Sequence, residues 1–132
     1  MEVLIFPDAQ SLARKSADLV ESQIKTFPDS VIGLATGSTP QGLYDELIRR
    51  HKDYHLSFAR VKTFNLDEYV GIPANHPQSY RAFMDDNLFT KINIVSSNTQ
   101  VPDGMAENPL DVGPAYEKMI EEAGGIDLQV LG

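Results

Sequence analysis

Two stretches of this sequence combine residue types and spacing that could do chemistry. The first, VIGLATGSTPQGLYDEL at residues 31–47, sets Thr36, Gly37, Ser38, Thr39 and Pro40 between an apolar run and an amphipathic one, with no lysine or arginine among them. At a strand-to-helix junction the amides of the first helical turn point outward, with the positive end of the helix dipole behind them, and so favour an anion. Gly37 would let backbone approach a phosphate closely, and Ser38 and Thr39 would add hydroxyl donors. The same residues also suit a tight turn in which Ser38 or Thr39 is a plain helix N-cap, and the loop alone leaves both readings open. ATP and NAD are disfavoured: Gly37 is followed by Ser38 rather than Lys, and Gly33, Gly37 and Gly42 do not have the G-x-G-x-x-G spacing.

The second stretch, TFNLDEYVGIP at residues 63–73, brings Asn65, Asp67, Glu68 and Tyr69 to the end of a predicted strand. A carboxylate there could abstract a proton next to a carbonyl, provided it lies within hydrogen-bond reach of the carbon acid and is raised in pKa by partial burial. The bland alternative is that Asp67 caps a turn and Glu68 is solvated. His51 and His55 have the spacing of a helical metal pair, with Asp53 between them, but no third ligand is in sight and no metal is expected. His76 falls in the loop after the second stretch, where His-Pro is equally a turn element. No Ser-His-Asp arrangement names a nucleophile, and the absence of cysteine excludes thiolate chemistry and disulfides.

These residues need elements to hold them. EVLIF (2–6) reads as a short buried strand, broken by Pro7, with Asp8 as N-cap of a helix whose apolar stripe is Leu12, Ala13, Ala17, Val20 and Ile24. VIGLAT (31–36) has the continuous apolarity of a parallel strand covered on both faces, and Leu43, Tyr44, Leu47 and Ile48 form the next helical stripe. RVKTFNL (60–66) is a strand, 67–78 a loop, 79–89 a short helix, and 98–113 a short strand with a long loop. A helix over 114–125 with a Gly stop and a buried strand over 126–132 complete the series. The alternation predicts an α/β fold: a doubly wound, mostly parallel sheet with helices on both faces and right-handed crossovers. In such a sheet both stretches reach the same carboxyl-edge crevice.

At 132 residues the chain fits one domain, and 42% hydrophobic with 23% charged residues is a soluble, foldable composition. The N-terminus lacks the pattern of a signal peptide and no run approaches membrane-span length, which with the lack of cysteine agrees with a cytoplasmic location. A net charge of −8 disfavours nucleic acid and anionic membranes as partners, whereas a small anion can still be held by local backbone groups.

Taken together, GLATGSTPQGLY, TFNLDEYVGIP, HPQSYRAFM and the terminal GIDLQVLG resemble the glucosamine-6-phosphate deaminase family, in order and at the expected separations. The resemblance implies hydrolytic deamination, coupled to aldose–ketose isomerisation, of D-glucosamine 6-phosphate to fructose 6-phosphate and ammonia, on a Rossmann-like fold without an organic cofactor. It implies that Thr36, Gly37, Ser38 and Thr39 hold the sugar phosphate, that Asp67 is the base moving a proton between C2 and C1, and that Tyr80 and Glu68 belong to the substrate site, Glu68 in a supporting or structural role. The family's pattern continues with a glycine-rich loop carrying an Asp, a His and a Glu, and later with basic residues at the phosphate. None of these lies in residues 1–132, so the chain is expected to be the N-terminal part of a longer domain, with little turnover of its own. An unpaired sheet edge after Gly132 would favour self-association into a homo-oligomer. Two rivals are 6-phosphogluconolactonases, which usually carry Asp-Glu-Arg where this chain has Asp67-Glu68-Tyr69, and a phosphosugar-sensing domain with no need of Asp67 as a base.

Overall fold

The computed structural model describes residues 1–132. Asp8 accepts the Ser11 amide at 2.6 Å and so starts α1 (Ala9–Thr26), whose inward stripe Ala17, Val20 and Ile24 is buried. After a turn, β1 (Val31–Leu34) runs fully buried into the glycine-hydroxyl loop, and α2 (Gln41–Tyr54) leads back to β2 (Lys62–Asn65). α3 (Tyr80–Asn87) is capped by Ser79, and β3 (Thr99–Gln100), α4 (Pro109–Glu122) and β4 (Leu128–Gln129) follow. The Gly124-Gly125 pair ends α4 with both residues at positive φ, their amides returning to Glu121 and Ile120.

The four strands are all parallel in the order β3-β2-β1-β4. The chain therefore steps outward from β1 to β2 and β3, then returns to the far side of β1, which makes the carboxyl ends of β1 and β4 the topological switch point. Successive strand residues point to opposite faces. On one face Ile32 and Leu34 join Leu43, Tyr44, Leu47 and Met84 in the core between the sheet, α1, α2 and α3. On the other, the Phe64 ring meets Tyr116 of α4 edge-on at 5.7 Å. Helices thus cover both faces, as the alternation of elements predicts.

The seam between α1 and α2 is fixed by Arg50, a buried cation that meets Glu21 at 2.6 Å, Asp18 at 2.8 Å and Glu46 at 3.1 Å. Its neighbours Arg49 and Arg50 hold the Glu46 carboxyl down to about 2, against the desolvation that opposes them.

Three expectations are corrected. Residues 2–6 form no strand: Val3, Leu4 and Ile5 are exposed and pair with no neighbour, and an apolar run becomes a strand only where a hydrogen-bonding edge meets it. α4 starts at Pro109 rather than Pro114, because Asn108 accepts the Leu110 amide as N-cap, Pro109 occupies the first turn and Pro114 is carried inside the helix. The last strand is two half-buried residues, not a buried run over 126–132.

Candidate active site

The loop between β1 and α2 is built from beneath. Tyr44, fully buried on α2, donates its hydroxyl to the Ala35 carbonyl and accepts the Ala35 amide at 3.1 Å, so the last residue before the loop is held on both sides. Burial pushes the Tyr44 phenol up to about 12, against the pull of its bond to Ala35. Beyond Ala35, Thr36 is half-buried, and Gly37, Ser38 and Thr39 are exposed. Gly37 sits at φ +102°, a conformation that disfavours any side chain.

The plain N-cap reading of Ser38 or Thr39 does not describe this loop. The N-cap position belongs to Pro40, which supplies no side-chain bond, and neither hydroxyl is engaged elsewhere. Gln41 reaches the Ser38 carbonyl at 3.4 Å and Tyr44 the Pro40 carbonyl at 3.1 Å, while the amides of Gly37, Ser38, Thr39, Gly42 and Leu43 donate to no protein group. Unengaged N–H donors, two free hydroxyls and a helix N-terminus form a surface whose chemistry suits an anion without any cationic side chain.

β2 is the neighbour of β1, with Leu34 paired to Asn65, so its carboxyl end delivers Asp67 to the same edge. Asp67 is exposed, not partly buried as the sequence reading requires of a base, and it forms no ion pair or hydrogen bond with the protein. Its carboxylate is free to meet a ligand. Tyr80, the first residue of α3, packs on the second loop: its ring lies 4.6 Å from that of Tyr69. The Tyr80 hydroxyl is held above the usual tyrosine range first by the Tyr69 hydroxyl, then by burial and the charge of Asp67, with Thr36 opposing as a donor. Tyr69 and Tyr80 thus meet at the sheet edge that also carries Thr36 and Asp67.

Glu68, expected among the substrate contacts, is turned the other way. Its carboxylate accepts the backbone amides of Tyr69 and Tyr80 at 2.9 Å each and of Arg81 at 3.0 Å. Asn65 is also buried, its carbonyl accepting the Tyr116 hydroxyl at 2.6 Å. The histidines serve local structure: His51 Nδ1 pairs with the Leu56 carbonyl at 2.7 Å, His55 ends α2 at φ 59°, and His76 Nδ1 accepts the Gln78 amide at 3.0 Å. No group of three or more His, Cys, Asp or Glu is placed to hold a metal ion, and no helix is long and apolar enough to cross a membrane. A cleft of about 510 Å³ lies between α4 (Val112, Ala115, Met119) and the segment after β3, and none of its lining residues belongs to the β1–α2 loop or to residues 67–80.

The family model for glucosamine-6-phosphate isomerases/6-phosphogluconolactonase matches residues 7–132. The chain belongs to that family. Over its full length it is 52% identical to a glucosamine-6-phosphate deaminase of Cellvibrio japonicus and 50% identical to one of Shewanella loihica, covering 50% and 49% of those proteins. A monomeric glucosamine-6-phosphate deaminase of solved structure superposes with a TM-score of 0.95 at 37% identity, over 98% of this chain and 54% of that one. The 6-phosphogluconolactonase of Thermotoga maritima shares the fold, with a TM-score of 0.74 at 22% identity. The chain spans about half the length of the curated relatives it matches.

Within this member of the isomerase/lactonase family, sequence reasoning missed three residues that shape the site: Tyr44, read only as core; Tyr69, read only as part of a motif; and Gly104, read as loop. A Cβ at Gly104 would stand 2.3 Å from the Tyr69 carbonyl oxygen and 2.8 Å from that of Ile72. The only prior signal for Gly104 was its place in a Pro-Asp-Gly turn sequence.

Proposed function

We propose that this chain carries the phosphate grip and the proton-moving carboxylate of an enzyme that converts D-glucosamine 6-phosphate to fructose 6-phosphate and ammonia. The observation that carries the reading is the set of unengaged amides at Gly37, Ser38, Thr39, Gly42 and Leu43, at the same sheet edge as the free carboxylate of Asp67. In this reading the amides of Gly37, Ser38 and Thr39, with the hydroxyls of Thr36, Ser38 and Thr39, bind the phosphate, which fixes the far end of an open-chain sugar. Asp67 takes the proton from C2 and returns it to C1 while the amine nitrogen gives up one proton and O1 gains one, turning the 2-amino aldehyde into a ketimine with a C1 hydroxyl. Water then hydrolyses that C=N bond, leaving the ketone and ammonia. Tyr80 lines the sugar between the two loops. The relatives named as glucosamine-6-phosphate deaminases, at about half identity over the whole chain, support this substrate over the lactone of the more distant relatives.

Titration calorimetry with glucosamine 6-phosphate, inorganic phosphate and glucosamine tests the reading. Binding of the first two and not of the third is expected, and Gly37→Ala should weaken both. In any longer form of the chain that turns over, Asp67→Asn should lower the rate by about 100- to 10,000-fold, as for loss of a general base, with sugar-phosphate binding kept. Binding of glucosamine equal to that of its 6-phosphate would refute the phosphate grip.

A further inference from the structure

The first helical turn of α3 has four amides with no partner inside the helix, and their partners divide cleanly. Ser79 takes two of them, its Oγ accepting Ala82 N at 3.0 Å and its carbonyl Phe83 N at 3.1 Å, while its hydroxyl donates to Ala74. That is a complete side-chain cap. The other two, Tyr80 N and Arg81 N, go to Glu68, twelve and thirteen residues back along the chain. Glu68 therefore does something a helix cap alone does not require: it draws the start of the 67–78 loop onto the start of α3.

Its Oε1 accepts Tyr69 N and Tyr80 N together, which places the two tyrosine rings side by side at 4.6 Å and leaves Asp67, one residue earlier, beside them. From α3 the connection continues to the sheet, where the Arg81 guanidinium donates to the Thr99 carbonyl at 3.1 Å and its Oγ1 at 2.9 Å, and pairs with Asp85 at 3.0 Å. The same loop has a second seat. Gly71 N donates to the Gly104 carbonyl at 2.7 Å, and Gly104 packs so closely on the loop that an added Cβ would meet two backbone oxygens and stand 3.3 Å from Glu68 Cγ. Backbone oxygens cannot swing aside as a flexible side chain can, so any residue larger than glycine moves the loop.

We propose that Glu68 and Gly104 are positioning residues for Asp67 and Tyr80: neither touches substrate, and together they fix the loop after β2 at the distance from the phosphate grip that a six-carbon sugar phosphate needs. The inference rests on the functional reading above and adds to it which residues set the second half of the site. It also explains why a carboxylate next to the base is turned away from the crevice.

The experiment compares two probes on the 132-residue chain. Inorganic phosphate reports on the β1–α2 loop alone; glucosamine 6-phosphate reports on that loop and on the Asp67–Tyr80 side. Glu68→Ala and Gly104→Ala are expected to keep phosphate affinity within about twofold of wild type and to lose about tenfold or more of the preference for glucosamine 6-phosphate over phosphate. Glu68→Gln, which keeps an oxygen for the Tyr69 and Tyr80 amides and turns an N–H group toward Arg81 N, should lose part of it. Ser79→Ala should lower the melting temperature and leave the preference intact. If Glu68→Ala does not fold, Glu68→Gln and Gly104→Ala carry the test. Unchanged preference in those variants, or an equal loss in Ser79→Ala, overturns the positioning role while leaving the phosphate grip standing. A wild-type chain that binds neither probe overturns the functional reading and this inference with it.

Discussion

Replacing Tyr44 by Phe removes one oxygen atom and keeps the ring. The ring is fully buried between α2 and the sheet, so packing is preserved, and the loss falls on Ala35, whose amide and carbonyl both bond that hydroxyl. A buried polar group left without a partner costs about 1 to 3 kcal/mol. Ala35 is half-buried, which lets water satisfy part of the deficit, so the two groups together should cost about 2 kcal/mol. For a domain of this size that is a fall in Tm of about 6 to 10 °C. The chain has no tryptophan, so far-UV circular dichroism is the probe, in heat and in urea, with an unchanged urea slope marking a stability effect rather than a change of unfolded state. Because Ala35 leads directly into Thr36 and Gly37, phosphate affinity should fall as well, by about threefold or more, as a preorganised loop becomes a mobile one. A melting temperature within 2 °C of wild type, or phosphate binding untouched by the change, would refute the idea that Tyr44 holds the grip in place.

The remaining predictions concern the loop, the α1–α2 seam and pH. Gly37→Ala forces a side chain into φ +102° with open space around it, so the strain of about 1 to 2 kcal/mol is conformational, and unfolding in urea should show it without any clash to relieve. Arg50→Met strips the counter-charge from Glu21, Glu46 and Asp18 at a seam where Arg50 is only 8% exposed, and should cost about 3 kcal/mol by the same measurement. In acid, the Glu46 carboxyl ionises in the folded chain at about 2 against 4.5 for the free group, so its stabilisation is complete above pH 4.5 and is lost as pH falls toward 2; melting curves across that window should drop, and less steeply in Glu46→Gln. In alkali the sign reverses: Tyr44 is favoured in its neutral form, its contribution is intact below pH 10 and lost as pH rises toward 12, and Tyr44→Phe should flatten that limb.

What the sequence made legible follows the range of the interactions. Helix periodicity, the Asp8 cap, the Gly124-Gly125 stop and the apolar run of β1 are local signals, and each appears in the structure where it was expected. EVLIF carried the same local signal as β1 and failed, because strand formation there depends on a hydrogen-bonding edge that residue patterns do not reveal. Pro114 resembled a helix start, yet the Asn108-Pro109 pair five residues earlier had both cap and first-turn proline. At the candidate site, Thr36–Thr39 and Asp67 could be singled out because the chemistry proposed for them is carried by their own backbone or side chain. For Glu68 the sequence offered only a supporting or structural role without its partners, since a carboxylate that folds back on amides twelve residues away looks, in sequence, the same as one facing a ligand. Gly104 and the Tyr44 hydroxyl act through close approach in three dimensions, and spacing alone gave no sign of either.

The phosphate grip is the central claim, and backbone amide NMR of the labelled chain, titrated with glucosamine 6-phosphate, tests it most directly. The largest shifts are expected at Gly37, Ser38, Thr39, Gly42 and Leu43, with smaller ones at Asp67, Tyr69 and Tyr80, and the first set should respond in the same way to inorganic phosphate. Shifts centred elsewhere, on the cleft beside α4 for example, with the Gly37–Leu43 amides unmoved, would contradict it.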